Sequence, residues 1–147
     1  MSVAIRCTSG LDAPMLAELV AEHADYERSS ARPDAYALAA ALDAVPARLL
    51  AWIAGEGGYP VGYAAVTEDF STWRAQAFLY LDCLFVRATH RGRGVGADLF
   101  RHALSHARDS GVATLEWQTP SWNEGAIRFY ERLGGAHTLK ARFSLGL

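Results

Sequence analysis

The sequence of 147 residues contains only two cysteines, Cys7 and Cys83. Two cysteines cannot build a disulfide framework or a multi-cysteine zinc site within one chain. No stretch approaches the roughly 18–20 uncharged apolar residues that a membrane-spanning helix needs. The opening residues, MSVAIRCTSGLD, lack the basic, apolar and small-residue order of a signal peptide. We therefore expect a cytoplasmic protein that does not bind a membrane.

Charge of one sign is not in large excess, since the formal net charge is −2 at pH 7. The broad basic surface of a duplex nucleic-acid binder is therefore missing, and no nucleic-acid partner is expected. The charges are unevenly spread: residues 1–73 hold four basic and ten acidic side chains, and residues 74–147 hold ten and six. This asymmetry suggests a cationic ligand near the first half and an anionic ligand near the second. Chance differences between solvated helix faces are the alternative.

Apolar residues are plentiful, at 51% of the chain, and are enough for one packed core. The length allows one domain, and no linker or repeat interrupts residues 1–147. Apolar periodicity predicts the following elements. Strands are predicted at 3–7, 48–54, 61–67, 78–86, 112–119 and 142–145, and helices at 11–28, at 34–43, between Gly96 and Gly111, and at 121–133, where Ser121 and Glu124 form a capping-box pattern. This order indicates a mixed α/β domain.

A glycine-rich run, Arg91-Gly92-Arg93-Gly94-Val95-Gly96, is the strongest local signal. Glycines let backbone N–H groups approach an anion, and the N-terminus of the following helix adds about half a positive charge. Arg91 and Arg93 contribute fixed positive charge. The run therefore predicts an anion-binding loop, and a plain turn between a strand and a helix is the alternative.

Two nucleotide-binding motifs fit this run less well. A P-loop requires G-x-x-x-x-G-K-[ST], and both the lysine and the hydroxyl residue are missing. A dinucleotide fingerprint matches Gly92-x-Gly94-x-x-Ala97, with Glu116 standing 20 residues after Gly96. However, residues 87–90 separate the glycines from the preceding strand, and the chain offers no second βαβαβ half.

The pattern Arg91-x-x-Gly94-x-Gly96 resembles instead the acetyl-coenzyme A pyrophosphate loop of the GNAT acetyltransferase superfamily. The segments FSTW (70–73), LYLDCLFV (79–86), WNE (122–124) and FYERLG (129–134) resemble the branch that contains spermidine/spermine and thialysine N-acetyltransferases. The resemblance covers residues 61–136 and extends loosely to Tyr26-Glu27. It implies the GNAT fold, in which a central twisted, mixed and mostly antiparallel β-sheet is flanked by helices.

The resemblance also implies acetyl-coenzyme A (acetyl-CoA) as the cofactor. Asn123 and Tyr130 lie seven residues apart, and therefore project from one face of a helix about two turns apart. By resemblance, Asn123 would hydrogen-bond coenzyme A, and Tyr130 would donate its phenolic proton to the leaving sulfur; a core tyrosine with a satisfied hydroxyl is the alternative. Backbone groups of residues 84–86 would pair with the pantetheine as with an added strand. The expected cofactor contacts are Leu84, Phe85, Val86, Arg91, Gly92, Arg93, Gly94, Val95, Gly96, Asn123 and Tyr130.

Asp82 is the candidate general base, because an alkylamine is protonated at neutral pH and must lose a proton before it attacks. It is a single acid within an apolar strand, where a buried carboxylate is costly unless it is paired or functional. The resembling branch has Glu followed by an acid at this place, and this chain has Asp82 followed by Cys83. A carboxylate that only hydrogen-bonds neighbouring backbone is the alternative.

The amine is expected to contact four residues. The expected substrate contacts are Tyr26, Glu27, Trp73 and Asp82. For the acids among them, a solvated face is the alternative.

No metal is expected at the site. His102 and His106 are spaced i, i+4 on one helix, but no third zinc ligand accompanies them.

Together these features predict an N-acetyltransferase that moves the acetyl group of acetyl-CoA to a primary amine of a small molecule. The acceptor would be a diamine, a polyamine or an amino-acid-like compound, and it would attack directly in a ternary complex. Acetylation of a protein or peptide amine, and a non-catalytic acetyl-CoA-binding module, are the alternatives. The resemblance implies a homodimer, with the apolar C-terminal strand as an interface.

Overall fold

The computed structural model describes residues 2–147. These residues form two compact units, residues 2–117 and 118–147. Each unit is described by itself. None of the helices in residues 2–147 is long and apolar enough to cross a membrane.

A five-stranded sheet forms the centre of the first unit, and its strands lie side by side in chain order. The first three pairings are antiparallel and the fourth, between β4 and β5, is parallel. The expected mixed and mostly antiparallel sheet is therefore confirmed. The strands are β1 (Val3–Cys7), β2 (Leu50–Glu56), β3 (Tyr59–Ser71), β4 (Gln76–Val86) and β5 (Leu115–Trp117).

Three helices cover the sheet. They are α1 (Ala13–Tyr26), α2 (Ala35–Asp43) and α3 (Val95–Asp109), and short 3-10 turns precede α1 and α3 at Gly10–Asp12 and Ala88–His90. Ser9 and Asp12 form a capping box at the start of the turn before α1. Pro14 occupies the first turn of α1, where a backbone N–H would have no partner within the helix.

The strands bury apolar side chains on both faces of the sheet. Ile53 of β2 belongs to the cluster with α1 and α2, whereas the neighbouring Trp52 ring contacts rings on α3. Successive residues of a strand point to opposite faces, so α3 lies on the other side of the sheet from α1 and α2. The cluster with α1 and α2 contains Leu16, Leu19, Leu42, Ala51, Ile53, Tyr63, Ala65 and Phe85.

A β-bulge interrupts the β3–β4 pairing. Ala65 pairs with Cys83 and Val66 pairs with Leu81, so Asp82 is the extra residue on β4. The pairing of β5 with β4 also stops here, since Trp117 at the end of β5 is opposite Leu81. Within the first unit, β4 beyond Leu81 is therefore paired on one side only.

The second unit holds helix α4 (Glu124–Arg132). The predicted capping box is wrong, because Asn123 is the N-cap and its side-chain oxygen accepts a hydrogen bond from the Ala126 N–H at 3.1 Å. The predicted strand at 142–145 is also wrong, since residues 136–147 form neither helix nor strand. Alternating apolar residues suit a strand only where a neighbouring strand pairs with the backbone, and residues 142–145 have no such partner among residues 2–147.

Candidate active site

The glycine-rich loop leads into α3 as expected. Gly92 and Gly94 have φ values of 73° and 83°, a left-handed conformation that strains any residue with a Cβ. Gly94 is the N-cap of α3, and no side chain caps the helix there. A Cβ built at either glycine would meet no atom within 4 Å, so the loop leaves open space in front of its backbone. The arrangement suits an anion that approaches backbone N–H groups at the start of α3.

Both arginines of the loop bind protein groups. The Arg91 Nε donates to the Val86 carbonyl at 2.8 Å, and its guanidinium lies 4.3 Å from the Tyr26 ring centre and 5.6 Å from that of Phe85. Arg93 donates to Glu56 at 2.8 Å. Because the two arginines already contact protein groups, less of their charge is available to attract an anion. The backbone N–H groups of the loop are then the main hydrogen-bond donors that an anion would meet.

Glu56 connects the loop to the end of β2. Its second carboxylate oxygen lies 2.9 Å from His90 Nε2, so it contacts residues on both sides of Gly92. Hydrogen bonds from Arg93 and His90 lower the pKa of Glu56 to about 2. Sequence analysis missed Glu56 and His90, because more than thirty residues separate them and only the fold brings them together.

The unpaired edge of β4 presents backbone groups of two residues. The Arg87 N–H donates to the Val61 carbonyl at 2.8 Å. Backbone groups alternate in direction along an antiparallel strand, so those of Phe85 also face β3, and those of Leu84 and Val86 face the side that β5 no longer occupies. Of the three residues expected to pair with pantetheine, Leu84 and Val86 have backbone groups on this side, and the Val86 carbonyl there also accepts from Arg91. The backbone of Phe85 faces β3, and its side chain is buried under α1. Pairing with pantetheine stays a prediction.

Asp82 is exposed, so the expectation that its carboxylate is buried is wrong. The bulge explains the difference, because an extra residue in one strand re-aims the side chain beside it. Burial therefore does not argue for Asp82 as a base, and that role stays a prediction.

Cys83, the next residue, is a half-buried free cysteine. Its Sγ lies 3.8 Å from Asp82 Oδ2. Burial, together with the nearby carboxylates of Asp82 and Glu27, raises the pKa of Cys83 to about 12, although the neighbouring Tyr63 hydroxyl acts in the opposite direction. A thiol that stays protonated at neutral pH is a poor nucleophile.

Sequence analysis also missed a contact between a buried tyrosine, Tyr63, and a half-buried histidine, His23, beneath the end of α1. The Tyr63 hydroxyl lies 2.8 Å from His23 Nδ1, and His23 Nε2 lies 2.6 Å from Glu27 Oε2. The His23 ring stacks on Phe85 with ring centres 5.2 Å apart. Burial, first among its causes, raises the pKa of Tyr63 well above its ordinary value. The i, i+4 spacing of His23 and Glu27 was the available sequence signal.

The expected substrate contacts divide into two places. Tyr26 and Glu27 end α1, and Tyr26 stacks against the loop residue Arg91. Trp73 is 97% exposed in the turn between β3 and β4. Asp82 lies six positions along β4 from Gln76, the residue beside that turn, which is about 20 Å at a strand's rise. The structure therefore does not bring Trp73 to Asp82, and its substrate role stays a prediction that its position does not support.

The histidine pair on α3 packs against an aromatic ring. The rings of His102 and His106 lie 6.4 Å and 5.8 Å from that of Trp52. Among residues 2–147, no group of three or more His, Cys, Asp or Glu side chains is placed to hold a metal ion.

In the second unit, Asn123 and Tyr130 lie at the start and in the last part of α4. Asn123 is 7% exposed and its side chain caps the helix, so it has a structural task that the sequence did not reveal. The half-buried Tyr130 ring contacts that of Phe129, with centres 5.1 Å apart. Their roles toward a cofactor stay predictions.

Residues 15–135 match the family described as "Acetyltransferase (GNAT) family". The chain is 31% identical over 90 residues to a thialysine N-epsilon-acetyltransferase of Caenorhabditis elegans, a match that covers 61% of this chain and 56% of that protein. It is 37% identical over 82 residues to a streptothricin acetyltransferase of Streptomyces lavendulae, covering 56% and 41%. The chain therefore spans about half the length of the curated relatives it matches.

Solved structures show the same fold. An aminoglycoside acetyltransferase from an uncultured soil metagenomic sample superposes with a TM-score of 0.83 at 18% identity, covering 99% of this chain and 96% of that one. An integron cassette protein from the mobile metagenome of Cole Harbour Salt Marsh superposes with a TM-score of 0.79 at 26% identity, covering 97% and 90%.

Proposed function

Since the chain belongs to the acetyltransferase (GNAT) family, we propose that it is an N-acetyltransferase that moves the acetyl group of acetyl-CoA to a primary amine of a small molecule. One observation carries the proposal: the left-handed glycine loop, which no side chain caps, follows a strand whose edge beyond Leu81 has no partner strand within the first unit. The names of relatives that act on thialysine, streptothricin and ornithine support a small amine as the acceptor, of the diamine, polyamine or amino-acid-like class.

The residues of the first unit fit acetyl-CoA. The pyrophosphate would take hydrogen bonds from the loop backbone at residues 91–96 and from the start of α3. The pantetheine amides would pair with backbone groups of Leu84 and Val86, in the manner of an added strand. By resemblance, Asn123 would also hydrogen-bond the cofactor. The bound cofactor supplies an acetyl thioester.

The proposed reaction is direct attack. Asp82 would take a proton from the acceptor's ammonium group, and the free amine would attack the acetyl carbonyl that bound acetyl-CoA supplies, with its nitrogen losing a second proton to solvent as the C–S bond breaks. Tyr130 would protonate the departing thiolate and regain its proton from solvent. Direct transfer is preferred to an acyl-enzyme because the pKa of the Cys83 thiol, about 12, leaves it protonated.

We also propose that residues 1–147 form one acetyltransferase domain and that the protein is a cytoplasmic homodimer. The dimer is supported by the resemblance and by large apolar side chains that are exposed in the last residues of the chain. These side chains are Leu139, Phe143, Leu145 and Leu147. A single monomeric mass in solution at working concentrations would contradict the dimer.

The test is thiol release from acetyl-CoA with a panel of diamines, polyamines, lysine and ornithine analogues, and peptides with free N-termini. Binding of acetyl-CoA is measured alongside by thermal shift. We expect turnover with at least one small amine and none with the peptides. Turnover confined to peptides would replace the small-molecule acceptor, and binding without any turnover would support an acetyl-CoA-binding module.

A further inference from the structure

Glu56 is an acid beside the loop that is proposed to bind an anion. Its two carboxylate oxygens have different partners: Oε1 accepts from Arg93 at 2.8 Å, and Oε2 lies 2.9 Å from His90 Nε2. A carboxylate repels a nearby anion, so attraction for the ligand does not explain an acid at this place. Any benefit of Glu56 to anion binding must therefore come through the residues that it contacts.

The backbone of Glu56 is fixed at the end of β2. Glu56 pairs with Val3 on one side and with Tyr59 on the other. Between Glu56 and Tyr59 the chain turns through Gly57 and Gly58, whose φ values of 59° and 82° are those of a tight two-residue hairpin turn. A residue that is paired on both sides next to such a turn has little backbone freedom. Glu56 therefore offers the loop a rigid attachment point.

The His90 ring is held by hydrogen bonds at both nitrogens. The hydrogen bonds from Arg93 and His90 lower the pKa of Glu56 to about 2, so its carboxylate is ionised at neutral pH and only accepts. His90 Nε2 therefore carries a proton. In the neutral ring Nδ1 is then an acceptor, and the Thr89 hydroxyl at 2.8 Å can donate to it. Since the His90 side chain is only 12% exposed, these bonds leave the ring one orientation.

His90 and Arg93 stand on the two sides of Gly92, and Glu56 contacts both of them. One carboxylate group therefore fixes the distance across the segment that contains Gly92. Glycine has more backbone freedom to lose than any other residue, and Gly92 is in the left-handed region with a φ of 73°. A loop that already has its binding conformation avoids the ordering cost when a ligand binds. The contacts of Glu56 therefore favour binding, although its charge opposes it.

We propose that Glu56 is a positioning residue for acetyl-CoA, which holds the glycine loop through His90 and Arg93 in the conformation that binds the pyrophosphate. The inference rests on the proposed function. Glu56 acts only through its two partners and does not touch the reacting atoms.

The first test compares Glu56→Ala, which removes both contacts, with Glu56→Gln, which removes the charge and keeps an oxygen that can accept from Arg93. Calorimetric titration with coenzyme A, which carries the same pyrophosphate, measures the Kd. We expect Glu56→Ala to raise the Kd about tenfold, comparable with the cost of fixing the backbone of one residue, and Glu56→Gln to recover most of the loss. A Kd that Glu56→Ala lowers or leaves unchanged, or that both variants raise equally, would overturn the proposal.

Asp12 provides a matched control variant. It accepts two hydrogen bonds from Arg6, at 3.0 and 2.6 Å, and it follows β1 at the end of the β1–β2 pair opposite to Glu56. Asp12→Ala should lower Tm and leave the Kd for coenzyme A unchanged. Pantetheine, which has no pyrophosphate, is the matched ligand, and its Kd should be the same for Glu56→Ala and the unsubstituted protein. Equal effects of Asp12→Ala and Glu56→Ala on coenzyme A, or equal losses of pantetheine and coenzyme A, would contradict a role confined to the loop.

Nitrogen-15 relaxation of the free protein tests the loop without any ligand. We expect Glu56→Ala to lower the order parameters of the Gly92 and Gly94 amides and to leave that of Ala103, in the middle of α3, unchanged, with thermal unfolding confirming that the variant folds. Unchanged order parameters at both glycines would overturn the proposal. If the unsubstituted protein does not bind coenzyme A, the proposed function fails and this proposal fails with it. If it binds coenzyme A no better than Glu56→Ala does, only the role of Glu56 fails.

Discussion

Replacing Gly94 with alanine tests whether the glycine loop binds acetyl-CoA. Gly94 has a φ of 83°, and a Cβ there would meet nothing within 4 Å, so the substitution adds backbone strain without a clash. A left-handed alanine costs about 1–2 kcal/mol. The loop of the free protein can relax to escape this strain, and binding an anion must then restore the left-handed geometry. We therefore expect the Kd for acetyl-CoA to rise about five- to thirtyfold, since 1.4 kcal/mol corresponds to about a factor of ten.

Gly111 offers a matched control at the other end of the same helix. Its φ is 74° and a Cβ there would also meet nothing within 4 Å. Gly111→Ala should therefore lower Tm by about 3 °C for each kcal/mol in a chain of this size, and Gly94→Ala should lower Tm by less, because its loop relaxes in the free protein. Calorimetric titration with acetyl-CoA should detect weaker binding only for Gly94→Ala. Equal affinities of the two variants would refute the assignment of the loop.

Three further predictions concern single side chains. The folded-state pKa of Glu56 is about 2, below its ordinary 4.5, so its ion pairs stabilise the fold above about pH 4.5 and cease to do so as the pH falls toward 2. The Tm difference between the unsubstituted protein and Glu56→Gln should therefore shrink as the pH falls from about 4.5 toward 2. At pH 8 iodoacetamide should modify Cys7 well before Cys83, as mass spectrometry of peptides can show, and faster modification of Cys83 would contradict its raised pKa of about 12. Tyr130→Phe should lower turnover while the Kd for acetyl-CoA stays within a few-fold, and equal losses of both would remove Tyr130 as the acid.

Local patterns predicted much of the fold and the loop. Alternating and continuous apolar runs indicated the strands of the sheet, and glycine spacing before a helical period indicated the loop at Arg91–Gly96. These features depend on residues that are close in sequence, which is why a single sequence shows them.

Features that depend on strand pairing were missed or wrong. The bulge that exposes Asp82 arises from its register with β3, and register is not written in the strand's own residues. The segment 142–145 has the alternation of a strand but no partner among residues 2–147. His23 and Tyr63 lie forty residues apart, and only the packing of α1 on the sheet joins them.

The most direct measurement of the central claim uses acetyl-CoA labelled with ¹³C at the acetyl carbonyl. The protein is mixed with the labelled compound and a panel of small primary amines, and the carbonyl signal is followed by nuclear magnetic resonance while free thiol is titrated. The account predicts that the thioester signal is replaced by an amide signal, with one thiol released for each amide formed. A thioester that persists with every amine, or label that appears only as acetate, would contradict it.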